Sequence, residues 1–136
     1  MQLILGGARS GKSRLAEQIA QQLAQPVVYV ATAQALDGEM QARIQHHQQQ
    51  RPEDWGLCEE PIYLAEQLVK LDRPNQTILV DCLTLWMSNL LMHTDPDLQV
   101  QECQKLLDVV GNLQSELILV SNETGLGVVP MGQISR

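Results

Sequence analysis

An apolar run, Leu3-Ile4-Leu5, passes straight into Gly6-Gly7-Ala8-Arg9-Ser10-Gly11-Lys12-Ser13. The resulting G-x-x-x-x-G-K-S spacing narrows the folds open to this chain more than any other feature. Glycines permit positive φ and close backbone approach, so successive N–H groups can turn inward on phosphate oxygens. Lys12 then reaches the β and γ phosphates, and Ser13 offers its hydroxyl to Mg²⁺. The helix that begins there presents its positive end to the anion. Downstream, Leu15, Ala16, Ile19, Ala20 and Leu23 fall on one helical stripe, so the glycine turn lies between a short strand and an amphipathic helix, as the mechanism requires. The expectation is a nucleoside triphosphate site formed by Gly6, Gly7, Ala8, Arg9, Ser10, Gly11, Lys12 and Ser13.

The chain has 136 residues, 44% of them hydrophobic, which is enough for one core and predicts a single domain over 1–136. A net charge of −7 with no Lys/Arg cluster argues against a nucleic-acid partner, whose phosphates need a concentrated basic surface. The bound anion must be met by a local electropositive pocket instead. Cys58, Cys82 and Cys103 are odd in number, widely spaced and without a C-x-x-C pair, so neither a disulfide framework nor a zinc site is indicated and the cytoplasm is the expected compartment. No apolar stretch approaches the roughly 20 residues that span a bilayer.

Four apolar runs read as strands of a parallel sheet: Leu3 to Leu5, Val27 to Ala31, Thr77 to Asp81 and Leu117 to Ser121. Pro26 is expected to end the first helix. Pro61 is expected to open another with Leu64, Leu68 and Leu71 on its core face. Leu83 to Met92 is almost wholly apolar and predicts a helix buried in the domain or against a second subunit. Cys103, Leu106, Leu107, Val110 and Leu113 mark the core stripe of a helix between Leu98 and Leu113. Alternating strands and helices give an α/β, P-loop NTPase-like fold, with a mostly parallel sheet, helices on both faces and ligands at the carboxyl ends of the strands.

Asp81 ends an apolar strand, where an acid can order hydrated Mg²⁺ beside the phosphates or cap the following helix. Glu123 holds a comparable place after another strand, followed by Gly125 and Gly127, and reads equally as a substrate contact or an ordinary loop exit. Between Leu36 and Gln50, Asp37 suits an N-cap. Met40, Ile44 and His47 share one helical face, while Glu39, Arg43, His46 and Gln50 share another. His47 thus follows the apolar stripe as a packing or orienting residue. His46 lies on the polar stripe, either as solvated surface or as a nucleophile, since a neutral imidazole can attack phosphorus and pass the group onward.

These motifs carry a resemblance. The glycine turn, Tyr29-Val30-Ala31-Thr32-Ala33, the block from Asp37 through His46-His47 with Arg51-Pro52, Glu59-Glu60-Pro61, Val80-Asp81-Cys82-Leu83-Thr84-Leu85-Trp86 and Ser121-Asn122-Glu123 through Pro130 together resemble the bifunctional adenosylcobinamide kinase / adenosylcobinamide-phosphate guanylyltransferase family of cobalamin biosynthesis. Nearly the whole chain is covered. The resemblance implies phosphorylation of adenosylcobinamide, then transfer of GMP from GTP to adenosylcobinamide phosphate through a covalent histidine intermediate at the position matching His46. It implies GTP and ATP as substrates, Mg²⁺ as cofactor, and a homotrimer. It also implies nucleotide contacts at Ala31, Thr32, Ala33, His47, Glu60 and Asp81, with Ser13 and Asp81 toward the metal and Lys12 beside His46 in catalysis.

The sequence departs from the family pattern near its end. Gly132 stands two residues after Pro130, where the pattern has asparagine. Relatives continue with a further helix and strand, so a carboxyl-terminal segment is expected beyond Arg136. Two other readings of the residues stay open: a plain P-loop small-molecule kinase in which His46 only positions phosphate, and a non-enzymatic module gated by nucleotide occupancy.

Overall fold

The computed structural model describes residues 2–6, 12–33 and 55–122. In chain order the elements are β1 (Gln2–Gly6), α1 (Lys12–Gln22), β2 (Val27–Ala31), β3 (Gly56–Glu59), α2 (Leu64–Leu71), β4 (Thr77–Asp81), α3 (Leu83–Leu91), α4 (Pro96–Val110) and β5 (Glu116–Asn122). The strands form one sheet, ordered β1-β5-β4-β2-β3, and every pairing is parallel. All the carboxyl ends therefore meet at one edge of the sheet.

The apolar strands are buried on both faces, because side chains alternate while helices cover each side. Val30, Ile78, Val80, Leu117 and Leu119 point to the side where Leu64 and Leu68 of α2, Trp86 and Leu90 of α3, and Leu98 and Leu106 of α4 pack against them. Ile4, Val27, Tyr29, Ala31, Leu79, Ile118 and Val120 point to the other side and meet Ala16 and Ala20 of α1. Leu64, Leu68, Ile78, Leu79, Leu90, Leu117 and Ile118 are fully buried, each removing from water a side chain worth about 1.5–3 kcal/mol of hydrophobic stabilisation.

The four expected strands are present, and a fifth joins them. Gly56–Glu59 is short and largely exposed, and it is held at the sheet's edge by register with Val28 to Ala31. Its sequence has no apolar run; pairing with β2 makes it a strand. The first helix ends before Pro26: α1 stops at Gln22, and Ala24 takes a positive φ of 54° that ends the helical path. Pro61 lies in the turn before α2 rather than opening it. Leu107 and Leu15, expected on core stripes, are 59% and 48% exposed. Each sits one residue, about 100° of helix rotation, from the line that packs: Leu98, Glu102, Leu106 and Val109 on α4, and Ala16 and Ala20 on α1. In α3 the apolar run is only half covered, with Trp86 and Leu90 inside and Leu91 and Met92 exposed.

Candidate active site

Parallel register builds the site from backbone alone. Ile4 pairs with Val120, Val120 with Asp81, Asp81 with Ala31, and Ala31 with Glu59. These residues form one row across the sheet with a common facing, and Ile4, Val120 and Ala31 are packed on the α1 side. Asp81 therefore projects to the face that α1 covers. It stands two strands from β1, about 10 Å at ordinary strand spacing. Gly6 ends β1 two residues beyond Ile4, and Lys12 and Ser13 form the first turn of α1. The glycine turn is thereby bracketed by the strand and helix that the sequence motif requires.

Asp81 does not cap the following helix. The N-cap of α3 is Cys82, whose sulfur accepts from the Leu85 N–H at 3.4 Å. The Asp81 carboxylate instead receives the phenolic hydroxyl of Tyr29 on Oδ2. The Asp81–Cys82 peptide is cis.

Thr32, fully buried, joins the ends of β2 and β4. Its hydroxyl donates to the Cys82 carbonyl at 2.7 Å and accepts from the Cys82 N–H at 2.9 Å, while its own N–H donates to the Asp81 carbonyl at 3.1 Å. Glu60 extends the β2–β3 pairing by donating its N–H to the Ala31 carbonyl at 2.9 Å. Its carboxylate accepts from the N–H groups of Ile62 and Tyr63 at 3.1 and 3.0 Å and from the Gln67 amide at 3.3 Å. It thus satisfies the amino end of α2, where Tyr63 supplies no side-chain cap. Ala31 and Ala33 flank Thr32 at this edge, Ala31 buried and Ala33 half-buried.

Two residues of α3 complete the arrangement: Trp86, which the sequence offers only as part of the resemblance, and Asn89, which it does not single out. The Asn89 amide donates to the carbonyls of Thr32 at 2.7 Å and Pro61 at 3.0 Å, and the Trp86 indole donates to the Ile62 carbonyl at 2.8 Å. Asn89 is the only amide in a mostly apolar stretch that also holds Thr84 and Ser88, and that mismatch is the available signal. Together these bonds fix the turn at 60–63 against the end of β2.

Gly7, Ala8, Arg9, Ser10, Gly11, His46, His47 and Glu123 lie outside the described residues, as do the side chains of Lys12 and Ser13. The structure sets the exits of the strands along one rim, with Thr32 and Asp81 on the adjacent β2 and β4 and Glu60 beside Ala31, while β1 lies two strands from Asp81 and four from the strand that leads to Glu60. Among the described residues no group of three His, Cys, Asp or Glu could hold a metal ion, and no helix is long and apolar enough to cross a membrane. All three cysteines are free thiols. Burial raises the Cys58 thiol, with the nearby charges of Glu60 and Glu59 adding to it, and burial likewise raises Cys103 beside Glu102.

Comparison with known proteins matches residues 2–136 to the family described as cobinamide kinase / cobinamide phosphate guanyltransferase. The chain is 54% identical over 134 residues to the bifunctional adenosylcobalamin biosynthesis protein CobP of Pseudomonas aeruginosa, covering 98% of this chain and 78% of that one. It is 40% identical over 149 aligned positions to the bifunctional adenosylcobalamin biosynthesis protein CobU of Escherichia coli, covering all of this chain and 82% of that one. A five-stranded parallel sheet, a phosphate-turn motif seated between β1 and α1, and similarity along almost the whole chain converge: this protein belongs to the cobinamide kinase / cobinamide phosphate guanyltransferase family of enzymes.

Proposed function

We propose that this chain phosphorylates the hydroxyl of adenosylcobinamide from ATP or GTP and then moves GMP from GTP onto the new phosphate, with His46 as the covalent carrier. The observation that carries the reading is the row that sets Asp81 on the face covered by α1, level with the strand that feeds the glycine turn. Membership of the family supplies the two reactions.

In the first step an acceptor hydroxyl stands in line with the γ phosphorus. Backbone N–H groups of residues 6–13 and the Lys12 ammonium neutralise the charge that spreads over the non-transferred oxygens. In the second, a neutral nitrogen of His46 attacks the α phosphorus. The P–N bond forms as the bond to pyrophosphate breaks, and Lys12 stabilises that leaving group. The acceptor's phosphate oxygen then attacks the same phosphorus, and the electron pair of the P–N bond returns to His46. Ser13 and Asp81 are the residues that would hold Mg²⁺. A hydroxyl and one carboxylate form a sparse, all-oxygen donor set, which suits a small cation that keeps several of its waters. When bound, it would offset phosphate charge. Ala31, Thr32, Ala33, His47 and Glu60 complete the nucleotide surround, and the bonds of Thr32 and Glu60 hold the ends of β2 and β4 and the 60–63 turn in support of it.

The enzyme would work in the cytoplasm, where its free thiols stay reduced, as a homotrimer. The exposed Leu91 and Met92 on α3 support a subunit contact there. Sedimentation of wild type and Met92→Lys tests it: a lighter species for the variant supports that contact.

Incubation with α-labelled GTP and Mg²⁺ tests the carrier. Acid-labile, alkali-stable label on wild type and none on His46→Ala is the expected result. Label retained by that variant would overturn the assignment. Absence of label while γ phosphate still reaches adenosylcobinamide would make the protein a plain kinase, and tight nucleotide binding with neither transfer would make it a binding module.

A further inference from the structure

On the α1 face of the sheet, one polar tip has no part in the chemistry just described. Tyr29 is 5% exposed and its ring packs in the cluster of Ala16, Ala20, Leu79 and Val120. A phenylalanine would fill that space equally well. The hydroxyl at its end is what needs a reason, because a buried phenol must find a partner. In the β2–β4 register Tyr29 stands beside Leu79, one side-chain repeat short of the Ala31–Asp81 pair. From there the ring reaches toward the carboxyl edge of the sheet, and its O–H donates to Asp81 Oδ2.

We propose that Tyr29 is a positioning residue for the divalent cation: its hydroxyl fixes the plane of the Asp81 carboxylate and so sets the direction in which Asp81 presents oxygen to a hydrated ion on the sheet face that α1 covers. The inference rests on the reading of Asp81 given above. A strand-end aspartate has two free torsions, and a donor on one oxygen removes the second. A hydroxyl donating to an ionised carboxylate makes one of the stronger hydrogen bonds available to a side chain. Partners that orient metal-binding carboxylates commonly change metal affinity about 10–100-fold when removed. Tyr29 lies on a rigid central strand rather than a loop, which suits that task.

The experiment uses the full chain and a fluorescent GTP analogue, with nucleotide affinity measured in EDTA and across a Mg²⁺ titration for wild type, Y29F, D81N and the double variant. Electron paramagnetic resonance of Mn²⁺ in the nucleotide complex gives a readout independent of turnover. Y29F keeps every carbon of the side chain, so its metal-free nucleotide affinity should stay close to wild type even as the lost hydrogen bond lowers its melting temperature, while half-saturating Mg²⁺ rises about ten-fold. D81N should abolish the Mg²⁺-dependent tightening, and adding Y29F to it should change nothing further, since the two act as one unit. Loss of the Mg²⁺ response in D81N with a wild-type response in Y29F would overturn the role of Tyr29 and leave Asp81 standing. A wild-type response in D81N would overturn both. Equal losses by Y29F with and without Mg²⁺ would reduce Tyr29 to packing and also overturn the proposal.

Discussion

Thr32 and Cys82, fifty residues apart in sequence, exchange a reciprocal pair of hydrogen bonds at 2.7 and 2.9 Å, hydroxyl to carbonyl and N–H to hydroxyl. The pair locks the exit of β2 to the exit of β4, next to the residue that presents the candidate metal carboxylate. Thr32→Val keeps the shape and deletes both bonds, leaving the buried N–H and C=O of Cys82 without this partner. Unfolding in urea should show a loss of about 2 kcal/mol, and Thr32→Ser should recover most of it.

Asn89 makes the corresponding tie from α3. Asn89→Ala removes donors from the carbonyls of Thr32 and Pro61 at once. A destabilisation of about 1–3 kcal/mol follows. Hydrogen exchange should rise in residues 60–63 more than in the strands, because the helix would still pack through Trp86 and Leu90.

Asp72 gives a pH signature. Slight burial works to raise its carboxyl, but N–H donation from Gln114 and Ser115, at 2.8–3.0 Å, prevails and holds it below the usual carboxylate range. A depressed folded value means the carboxylate stabilises the native state above the unfolded value, near 4. That contribution disappears as pH falls through the folded value. Stability curves of wild type and Asp72→Asn should therefore be separated at pH 7 and converge in acid. A constant gap across the range would contradict a depressed Asp72 carboxyl.

Glu102 is 1% exposed on the packed line of α4, between Leu98 and Leu106. Oε2 meets Lys105 at 3.2 Å, and Oε1 has no hydrogen-bond partner among the described residues. Replacing a poorly satisfied buried carboxylate with a packed hydrophobe is often neutral or stabilising. Lys105, half-exposed, keeps its hydration when the partner goes. Glu102→Leu should raise the unfolding free energy by about 1 kcal/mol, read from the denaturant midpoint.

Much of the architecture could be read from the residues because central parallel strands advertise themselves as unbroken apolar runs, as Thr77–Asp81 and Val27–Ala31 do. Gly56–Glu59 does not, since an edge strand needs burial on neither face and takes its form from its neighbour's hydrogen bonds. The phosphate turn was legible because its backbone geometry demands particular residues at fixed spacing. Resemblance implies nucleotide contacts at Thr32 and Glu60; the bonds that tie these residues to strand ends and a helix start depend on which segments the fold brings side by side, and residues alone do not announce them. Asp81 offered two readings, and only three-dimensional packing could show that Cys82 takes the cap while Tyr29 takes the carboxylate.

Ala16 and Ala20 are fully buried beneath α1, and their smallness lets the helix rest directly on the strands. A helix is stiff along its axis, so bulk added at either alanine would lift the whole rod, including the end where Lys12 and Ser13 stand. Enlargement at these two sites would therefore cost packing stability and shift the amino end of the rod together.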